Sequence, residues 1–551
     1  MHPLWYRNAV IYQVDVAFFL DSNGDGWGDL RGVTERLEHI RGLGANCIWL
    51  LPFYASPYDD GGYDVTDHLT VDPRFGDLAD LAMLLDQAES LGLRVIVDLV
   101  PQHTSIQHHW FQEARHDRRS PYRDYYVWAD EPEETGVEPV FPTVEDSVWA
   151  WDEEAQQFYR HTFYDFEPDL ELGNPRVREE IRRIMAFWLR MGVSGFRIDA
   201  VPYMIERARA ADPRDDGYWL LAEMREHAAM HHPDAVLLGE VDVPPEQYAD
   251  YVGGPDRMSM SIDFWTNNFT FLALAQEKSE PLTRALGRRP RPHPHSQYAV
   301  FLRNHDELDL EQLSSEERDH VLERFAPQEE MRAYGRGIRR RLAPMLDGDP
   351  RRIAMAHALL MSLPGAPVLL YGDEIGMGED LSRPERKAVR TVMQWTDGQN
   401  AGFSLAPPEQ LAAAPISSGP FGFERLNVAA QSCDRRSLLA AVSHLVRSRL
   451  GAEEIGSDAC AVLETGVPSV LCLSHGTGSH RLITAVNLAD EDVTCELSDT
   501  ELSGLVDVLS DRPYPSPDDE PTKFVLGGYG YRWLRRRDEP FTGQDFASTR
   551  R

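Results

Sequence analysis

Short apolar segments alternate with longer amphipathic segments along most of this chain, and this alternation most constrains its fold. Apolar runs of strand length occur at residues 9–14, 47–52 and 94–104, and helical patterns such as residues 78–91 separate them. Alternating strands and helices indicate βα units in a parallel sheet. The later strand candidates are residues 195–200, 235–238, 258–264, 298–302 and 368–371. A total of eight strands predicts an α/β fold, a (β/α)8 TIM barrel.

Interruptions of this alternation predict the domain organisation. We expect the barrel at residues 1–102 and 173–430, with an inserted domain at residues 103–172 that is rich in Trp, Tyr, Asp, Glu and Pro. A helical insertion is predicted at residues 315–361, between the seventh and eighth strands. Further on, short segments such as RLITAVNL and VTCEL stand between Gly, Ser and Asp turns. We therefore expect a C-terminal antiparallel β domain at residues 431–551.

Composition and charge argue against several classes of partner. The chain carries 90 acidic and 55 basic side chains, which gives a formal net charge of −35. Such a surface repels phosphate backbones and anionic lipids, so we expect neither a nucleic-acid partner nor a membrane partner. The sequence shows neither a signal-peptide pattern nor an apolar run of about 18 residues. Five cysteines without CxxC spacing are typical of reduced thiols, and we predict a cytoplasmic protein.

Charged and polar residues follow four of the predicted strands. In barrels of this kind, catalytic groups lie at the C-terminal ends of the strands. One polar residue at a strand end has a simple structural explanation, whereas four strands that deliver such residues to one rim predict an active site. In chain order, the residues are Asp98, His103, Arg197, Asp199, Glu240, His305 and Asp306.

The carboxylates among these residues suit the cleavage of a glycosidic bond. A retaining glycosidase needs one carboxylate as nucleophile and another as general acid and base. Residues two apart on a strand point the same way, so Arg197 favours the ionised form of Asp199 that a nucleophile needs. Glu240 follows the apolar run AVLLG, which can raise its pKa and preserve the proton of an acid. The alternative for Arg197 and Asp199 is a buried structural ion pair.

Other residues are predicted to bind the sugar. Asp306 would bind sugar hydroxyls and help to distort the ring, and His103 and His305 can donate hydrogen bonds to hydroxyls. Aromatic side chains such as Tyr63 and Phe166 can stack on sugar faces, although packing in the core is the alternative for each.

Residues 21–29, DSNGDGWGD, form a candidate metal loop. The oxygen-bearing side chains of Asp21, Asn23, Asp25 and Asp29 alternate with glycines and can surround one hard cation. The bidentate Glu of an EF-hand does not follow at the required position. We predict a structural Ca²⁺ site and no organic cofactor; a Gly/Asp turn without metal is the alternative.

Four segments carry a resemblance to a known family: DLVPQH, GFRIDA, GEVD and FLRNHD, which end at residues 103, 200, 242 and 306. In their order and spacing they resemble the signature segments of the α-amylase family of glycoside hydrolases. The resemblance implies that Asp199 is the nucleophile, Glu240 the acid and base, and Asp306 the transition-state stabiliser. It also implies that residues 103–172 are the family's domain B and that residues 21–29 are its Ca²⁺ site. The implied glucosyl-binding residues are Tyr63, Asp64, His103, Arg197 and His305.

Further segments resemble the disaccharide-active branch of this family, which includes the trehalose synthases. They are FLRNHDELDLE, RGIRRRLAPML, PGAPVLLYGDEIGMG and VRTVMQWTDGQNAGFS. The branch implies transfer of glucose within a closed pocket, which interconverts maltose and trehalose, with Arg390 helping to bind the glucosyl unit or its acceptor. A hydrolytic α-glucosidase on short α-glucosides is the alternative. A non-catalytic scaffold barrel is disfavoured because the carboxylate triad is complete. The expected partner is a small α-glucoside, and assembly into a homo-oligomer is left open.

Four positions depart from the pattern of this branch. Gln102 stands where the family usually has Asn, and Val392 stands where Pro is usual. The segment FEPDLE places Glu167 and Glu171 where the branch commonly shows Gln and Asn. The segment GEVD with the following VPPEQYADYVGG also differs from this branch. We expect these changes to lie around the pocket and its acceptor side, and the altered FEPDLE segment to loosen the closure, so that glucosyl transfer is accompanied by release of some glucose.

Overall fold

Eight parallel strands form a closed barrel in the computed structural model, which describes residues 4–132, 139–211, 216–457, 459–477, 480–497, 502, 504–516 and 522–536. Each strand pairs with the next one along the chain, and the eighth pairs with the first. The predicted TIM barrel is therefore confirmed. The strands, labelled β1–β8, are Ile11–Val14, Cys47–Leu50, Arg94–Leu99, Gly195–Ile198, Val236–Gly239, Met260–Ile262, Gln297–Phe301 and Ala366–Leu370.

Apolar side chains fill the interior of the barrel, and a polar layer covers its C-terminal end. Trp49, Leu238 and Phe301 belong to one buried apolar cluster inside the strands. Asp98 on β3 lies directly opposite Arg197 on β4, and Arg197 lies opposite Leu238 on β5. This register places charged groups from neighbouring strands next to each other at the rim.

Amphipathic helices surround the barrel, and the helix between β3 and β4 shows why they form. Pro175–Met191 begins where the Asn174 side chain accepts a hydrogen bond from the backbone of Arg176, and it ends at Gly192 with φ 111°. Its buried residues include Ile181 and Ile184, which recur at helical spacing. The longer barrel helices are Leu37–Leu43, Leu78–Ser90, Pro175–Met191, Val201–Ala211, Trp219–His231, Phe264–Gln276, Glu280–Arg288, Pro350–Ser362 and Leu438–Leu450.

The inserted segment after β3 leaves the barrel and returns to it at one point, because His103 and Asp169 form an antiparallel bridge. It contains the helix His109–His116 and a three-stranded antiparallel sheet. The sheet strands, in spatial order, are Trp128–Ala129, Gln157–Arg160 and Trp149–Asp152.

The insertion expected to be helical at residues 315–361 is helical at both ends and only partly helical between them, in the segment that leads to Pro350–Ser362. It contains the helices Ser315–Phe325 and Leu342–Met345. Between them, Arg332–Ala333 and Gly337–Ile338 form a small antiparallel sheet with Leu308–Asp309. Strands of two residues show no periodicity that a sequence reading could detect.

The C-terminal part is an antiparallel β structure, but its first strand begins later than residue 431. The helix Leu438–Leu450 packs against the barrel helices Leu37–Leu43 and Pro350–Ser362. A five-stranded and a two-stranded sheet follow, and they include the predicted strands within RLITAVNL and VTCEL. The expected residues 537–551 lie outside the described part of the chain. The sheet strands are Cys460–Val462, Val470–His475, Leu482–Asn487, Val493–Glu496, Leu505–Ser510, Lys523–Leu526 and Tyr531–Arg536.

Candidate active site

The three predicted catalytic carboxylates meet at one cavity on the C-terminal rim. Asp199 directly follows β4, Glu240 directly follows β5, and Asp306 lies in the loop after β7. All three line a cavity of about 50 Å³, which we call the catalytic cavity. Its other lining residues are Asp60, Tyr63, His103, Phe163 and Arg386.

One buried guanidinium organises the carboxylates of the site. Arg197 is 1% exposed, and its Nη1 contacts Asp98 at 2.8 Å and donates a hydrogen bond to Asp199. Its Nη2 lies 2.8 Å from Glu240 Oε1. The predicted side-by-side arrangement of Arg197 and Asp199 is therefore present. Since both Asp199 and Glu240 contact the same planar group, they lie close together, as the carboxyl groups of a retaining glycosidase do.

Burial and the shared guanidinium set the protonation of these groups. Burial raises the pKa of Asp199 to about 6, against the opposing charge of Arg197. Burial likewise raises the pKa of Glu240 to about 7, which is the direction that the AVLLG run predicts. Arg197 was expected to favour ionisation of Asp199, but one guanidinium shared among three carboxylates does not offset the burial. Asp199 still loses its proton at lower pH than Glu240.

Asp306 is held ionised by cations. Burial opposes its charge, but the guanidinium groups of Arg386 and Arg390 keep the pKa of Asp306 far below its usual value. Arg390 Nη2 contacts Asp306 Oδ1 at 3.0 Å, and Arg390 Nε donates to the backbone carbonyl of His305 at 3.0 Å. The structure thus places Arg390 beside Asp306, but the arginine that lines the cavity is Arg386.

Tyr63, His103 and His305 form one polar side of the site. The Tyr63 hydroxyl lies 2.7 Å from His305 Nε2, and the two rings stack with centroids 5.5 Å apart. His103 Nε2 lies 3.2 Å from the carbonyl of Tyr63, while its buried Nδ1 has no hydrogen-bond partner in the described structure. Burial lowers the pKa of both His103, to about 4, and His305. Both imidazoles are therefore neutral at neutral pH.

Of the seven predicted sugar-binding residues, Tyr63 and His103 line the cavity. Arg197, His305 and Arg390 lie behind the lining and contact Asp199, Tyr63 and Asp306, respectively.

Asp64 and Phe166 also lie outside the lining. Asp64 is fully buried and accepts hydrogen bonds from Ser56 Oγ at 2.8 Å and from the backbone of Asp59 at 2.9 Å. Its carboxylate therefore stabilises a turn. Phe166 stacks on Tyr164, with ring centroids 5.0 Å apart, instead of lining the cavity. The loop directions that decide these orientations follow no period in the sequence.

Sequence reasoning missed three residues that line the catalytic cavity, namely Asp60, Phe163 and Arg386. Arg386 Nη2 binds both carboxylate oxygens of Asp60, at 2.8 and 2.7 Å, and its Nη1 contacts Asp306 at 3.1 Å. The only feature of the sequence that could have indicated them is proximity along the chain, since each lies within four residues of a predicted site residue. The volume of about 50 Å³ is below the roughly 300–1,000 Å³ of ligand pockets, so the catalytic cavity alone does not hold a disaccharide.

A second cavity of about 470 Å³ adjoins the catalytic cavity, and we call it the acceptor chamber. Phe163, Glu240, Asp306 and Arg386 line both cavities, so they are continuous. The inserted domain, the loop after β5 and the segment after β7 supply most of the remaining lining residues.

Segments from three parts of the chain close over these cavities. Phe141 lies 4.7 Å from Tyr164 and 4.6 Å from Tyr334, measured between ring centroids. The hydroxyls of Tyr164 and Tyr334 donate to Glu385 Oε2 at 2.6 and 3.0 Å. Arg386 lies over the Phe141 ring, 5.0 Å from its centroid. The inserted domain, the segment after β7 and the loop around residue 385 thus form one cover.

Of the positions that depart from the branch pattern, Glu167 lies directly behind the cavity wall. Glu167 is fully buried, and its Oε1 lies 3.6 Å from His103 Nε2. Gln102 is also buried, and both of its amide atoms are without a partner among the described residues. Glu171 pairs with Arg207 at 2.8 Å. Val392 is buried as well.

In the predicted metal loop, backbone N–H groups donate hydrogen bonds to the side-chain oxygens that were expected to bind a cation. Asp21 accepts hydrogen bonds from the backbone of Asn23, Gly24 and Gly26. Asp29 caps the following helix through the backbone of Gly32. Carboxylate and amide oxygens suit a hard cation, but across the described residues no group of three or more His, Cys, Asp or Glu side chains is arranged to hold a metal ion.

Comparison with known proteins shows which family the chain belongs to. Residues 13–457 match the family model "Alpha amylase, catalytic domain", and residues 480–535 match "Sucrose hydrolase-like, C-terminal domain". The chain belongs to the α-amylase family of glycoside hydrolases and transglucosylases.

Within the family, trehalose synthases are among the relatives that this chain resembles. It is 40% identical over 553 residues to the trehalose synthase/amylase TreS of Mycolicibacterium smegmatis, covering 97% of this chain and 93% of the relative. It is 32% identical to the probable α-glucosidase of Rhizobium meliloti, covering 90% and 91%. The crystal structure of the α-glucosyl transfer enzyme XgtA superposes with a TM-score of 0.77 at 28% identity, covering 97% and 100%.

Two further findings bear on the environment of the protein. No helix in the described ranges is both long enough and apolar enough to cross a membrane. All five cysteines are free thiols, of which Cys433 is exposed.

Proposed function

We propose that this protein interconverts maltose and trehalose by transferring a glucosyl unit within a covered pocket. The observation that carries the proposal is the catalytic cavity itself. Asp199, Glu240 and Asp306 line it together, and Arg197 contacts both Asp199 and Glu240. The resemblance to trehalose synthases over nearly the whole chain supports this choice of reaction.

In the first step, Asp199 attacks the anomeric carbon of the glucosyl unit. Its pKa of about 6 leaves it mainly ionised at neutral pH, as a nucleophile must be. Glu240, with a pKa of about 7, retains enough proton to protonate the departing oxygen. A covalent glucosyl-enzyme and a free glucose result.

In the second step, a hydroxyl of the freed glucose attacks the glucosyl-enzyme, and Glu240 takes the hydroxyl proton. Reattack through a different hydroxyl yields the isomeric disaccharide. The acceptor chamber adjoins the catalytic cavity and can hold the freed glucose near the reacting carbon. We expect the aromatic cover around Phe141 to limit the entry of water, so that reattack competes with hydrolysis.

A hydrolytic α-glucosidase is the second candidate, and the buried Glu167 favours it. A carboxyl group with an unpartnered oxygen lies directly behind His103 in the cavity wall. Burial and the nearby Asp60 and Asp64 raise the pKa of Glu167 well above its usual range. A wall that carries such an unpaired polar group packs less favourably and can admit water. We therefore expect glucosyl transfer together with some release of glucose.

Incubation with each disaccharide separates the two candidates. The protein is given maltose or trehalose, and glucose and both disaccharides are resolved over time. Interconversion from both directions supports the proposed function. Glucose as the sole product, even at high sugar concentration, supports the α-glucosidase.

We also propose that residues 21–29 bind one hard cation, Ca²⁺, in a structural role. The support is chemical, since Asp21, Asn23, Asp25 and Asp29 offer the oxygen atoms that Ca²⁺ prefers. A cytoplasmic location is proposed as well, and the five free thiols support a reducing compartment.

A further inference from the structure

A cavity of ligand size lies at the end of the barrel opposite the catalytic rim, and we call it the basal cavity. Its volume is about 400 Å³, which falls within the roughly 300–1,000 Å³ of ligand pockets. Gln297, the first residue of β7, and Pro364, two residues before β8, line it. The cavity therefore lies at the N-terminal ends of these strands, whereas the catalytic carboxylates follow the C-terminal ends. Residues just before and within the first strand of the C-terminal sheet, Ser457, Cys460 and Val462, form its other side.

The basal cavity is basic, although the protein as a whole is strongly acidic. Two of its lining side chains, those of Arg289 and Arg291, carry guanidinium groups. None of the lining residues in the described part of the chain carries a carboxyl group, while the whole chain has a formal net charge of −35. A concave surface with positive charge attracts anions.

The two arginines of the basal cavity differ in their contacts. Arg289 forms an ion pair with Asp263, and its Nη2 donates a hydrogen bond to the carbonyl of Pro364 at 2.9 Å. The exposed side chain of Arg291 has no hydrogen-bond or ion-pair partner among the described residues. The charge of Arg289 is therefore already paired, and Arg291 supplies the uncompensated positive charge of the cavity.

The thiol of Cys460 lies within the field of both guanidinium groups. Burial raises the pKa of Cys460 to about 11, and the charges of Arg289 and Arg291 oppose this increase. Both arginines are therefore close enough to the thiol to act on it through space. An anion placed beside Cys460 meets the same two positive charges.

The walls of the basal cavity are largely ordered before any ligand binds. Pro290 and Pro292 line it on the segment before β7, and Pro364 lines it before β8. Each proline ring fixes one backbone dihedral angle. A preformed site loses less conformational entropy on binding than a site that must be ordered by its ligand.

We propose that the basal cavity binds a small organic phosphate, of the size of a hexose phosphate, and that Arg291 holds its phosphate group. A guanidinium group forms two parallel charge-assisted hydrogen bonds with a phosphate group. The cavity is larger than a phosphate ion, and the apolar side chains of Leu286 and Val462 are available to the carbon skeleton of the ligand. The site goes beyond the proposed glucosyl transfer and does not depend on it.

Protection of Cys460 from alkylation tests the proposal. The whole protein is treated with iodoacetamide at alkaline pH, where part of the thiol is ionised, without additive or with glucose, inorganic phosphate or glucose 6-phosphate. Alkylation of each cysteine is followed by mass spectrometry of peptides. We expect glucose 6-phosphate to slow the alkylation of Cys460, inorganic phosphate to do so only at higher concentration, and glucose to have no effect. The exposed thiol of Cys433 is the internal control and is expected to react at the same rate throughout.

Matched variants connect the protection to Arg291. Arg291→Gln removes the unpaired charge and is expected to raise the concentration of glucose 6-phosphate that gives half-protection by about tenfold or more. Arg288→Gln removes a neighbouring exposed arginine that pairs with Glu246 and does not line the cavity, and it is expected to leave this concentration unchanged. The concentration for half-protection is independent of the reactivity of Cys460 in each variant.

Three results would overturn the proposal: no protection of Cys460 by glucose 6-phosphate, equal protection of Cys433, or half-protection at the same concentration in Arg291→Gln and Arg288→Gln. If Cys460 does not react even without additive, calorimetry with glucose 6-phosphate decides. Weaker binding to Arg291→Gln than to Arg288→Gln supports the site, and equal binding overturns it. None of these measurements uses turnover, so they remain decisive even if the proposed glucosyl transfer fails.

Discussion

At the residue scale, the site is governed by the competition of three carboxylates for Arg197. Asp98, Asp199 and Glu240 all contact this one guanidinium. A single positive charge cannot offset the desolvation of three negative charges, so protons remain bound to higher pH than in water. The order of ionisation, Asp199 before Glu240, is what a nucleophile paired with an acid requires.

We expect a bell-shaped dependence of kcat/KM on pH. Activity rises as pH increases through about 6, because Asp199 must lose its proton to attack. Activity falls as pH increases through about 7, because Glu240 must keep its proton to act as an acid. The profile measured with maltose between pH 4 and 9 checks this. A flat profile across pH 5–8 would contradict the two assignments.

Asp199→Asn is expected to abolish turnover while leaving the fold intact. The amide has nearly the same shape but is a far weaker nucleophile, and removal of a nucleophile typically costs roughly 10⁴–10⁶ in rate. Turnover is measured with maltose, and circular dichroism confirms folding. Retention of even a tenth of the unmodified rate would rule out Asp199 as the nucleophile.

Glu240→Gln is expected to affect natural sugars more than activated substrates. A nitrophenolate leaves with little help from a proton, so its departure depends less on an acid. The rate of the first step is compared for maltose and a nitrophenyl α-glucoside, using the burst of released leaving group to separate it from deglycosylation. Equal losses in that step would contradict the acid role.

How much of the site could be predicted depended on the backbone that carries each residue. Residues at strand ends, such as Asp199 and Glu240, were found because the strand period fixes where they point. Loop residues were predicted only in part: Tyr63, His103 and Asp306 line the cavity, but so do Asp60 and Phe163, where Asp64 and Phe166 had been expected. The direction of a loop side chain depends on turns and on packing against distant segments, which no local pattern encodes.

At the element scale, the cover over the cavities is built from segments far apart in the chain. Tyr164 comes from the inserted domain and Tyr334 from the segment after β7, and both hold Glu385. Each segment contributes few contacts by itself. The cover therefore depends on the packing of the three segments against one another.

Tyr334→Ala is expected to increase the share of glucose among the products from maltose by about twofold or more. The substitution removes the ring that packs on Phe141 and the hydroxyl that binds Glu385, so water enters more readily. Glu329→Ala, an exposed position in the same segment, is the matched control. A glucose share no greater than that of the control would show that this cover does not limit hydrolysis.

Chelation is expected to lower the melting temperature if residues 21–29 hold a structural Ca²⁺. A ligand bound only by the folded state adds to the free energy of unfolding, and its removal takes that contribution away. Melting curves are recorded with and without excess chelator and after Ca²⁺ is added back. An unchanged curve, together with no metal by elemental analysis, would leave the hydrogen-bonded turn as the correct reading.

Among the elements, the barrel was predictable and the insertions less so. Each of β1–β8 begins within two residues of its predicted start, because buried parallel strands read as continuous apolar runs. The sheet formed by Leu308–Asp309, Arg332–Ala333 and Gly337–Ile338 was missed, because its strands are too short to show a period. Tertiary packing, which the local sequence does not record, decides such elements.

At the scale of the whole molecule, the barrel carries the catalytic carboxylates, and we propose that the insertions choose the acceptor. The carboxylates lie on the rim, while the cover and the acceptor chamber draw on the inserted domain and the segment after β7. The same barrel can therefore support hydrolysis or transfer, depending on what occupies the space beside Asp306. The central claim is that this space retains the glucose released in the first step.

The incorporation of labelled glucose from solution into trehalose tests this claim most directly. The protein is incubated with unlabelled maltose and excess ¹³C-glucose, and the label in newly formed trehalose is measured by mass spectrometry at early times. The account predicts trehalose with far less label than the free glucose pool, because most freed glucose reattacks before it leaves. Formation of glucose without trehalose, or trehalose labelled to the level of the pool, would contradict it.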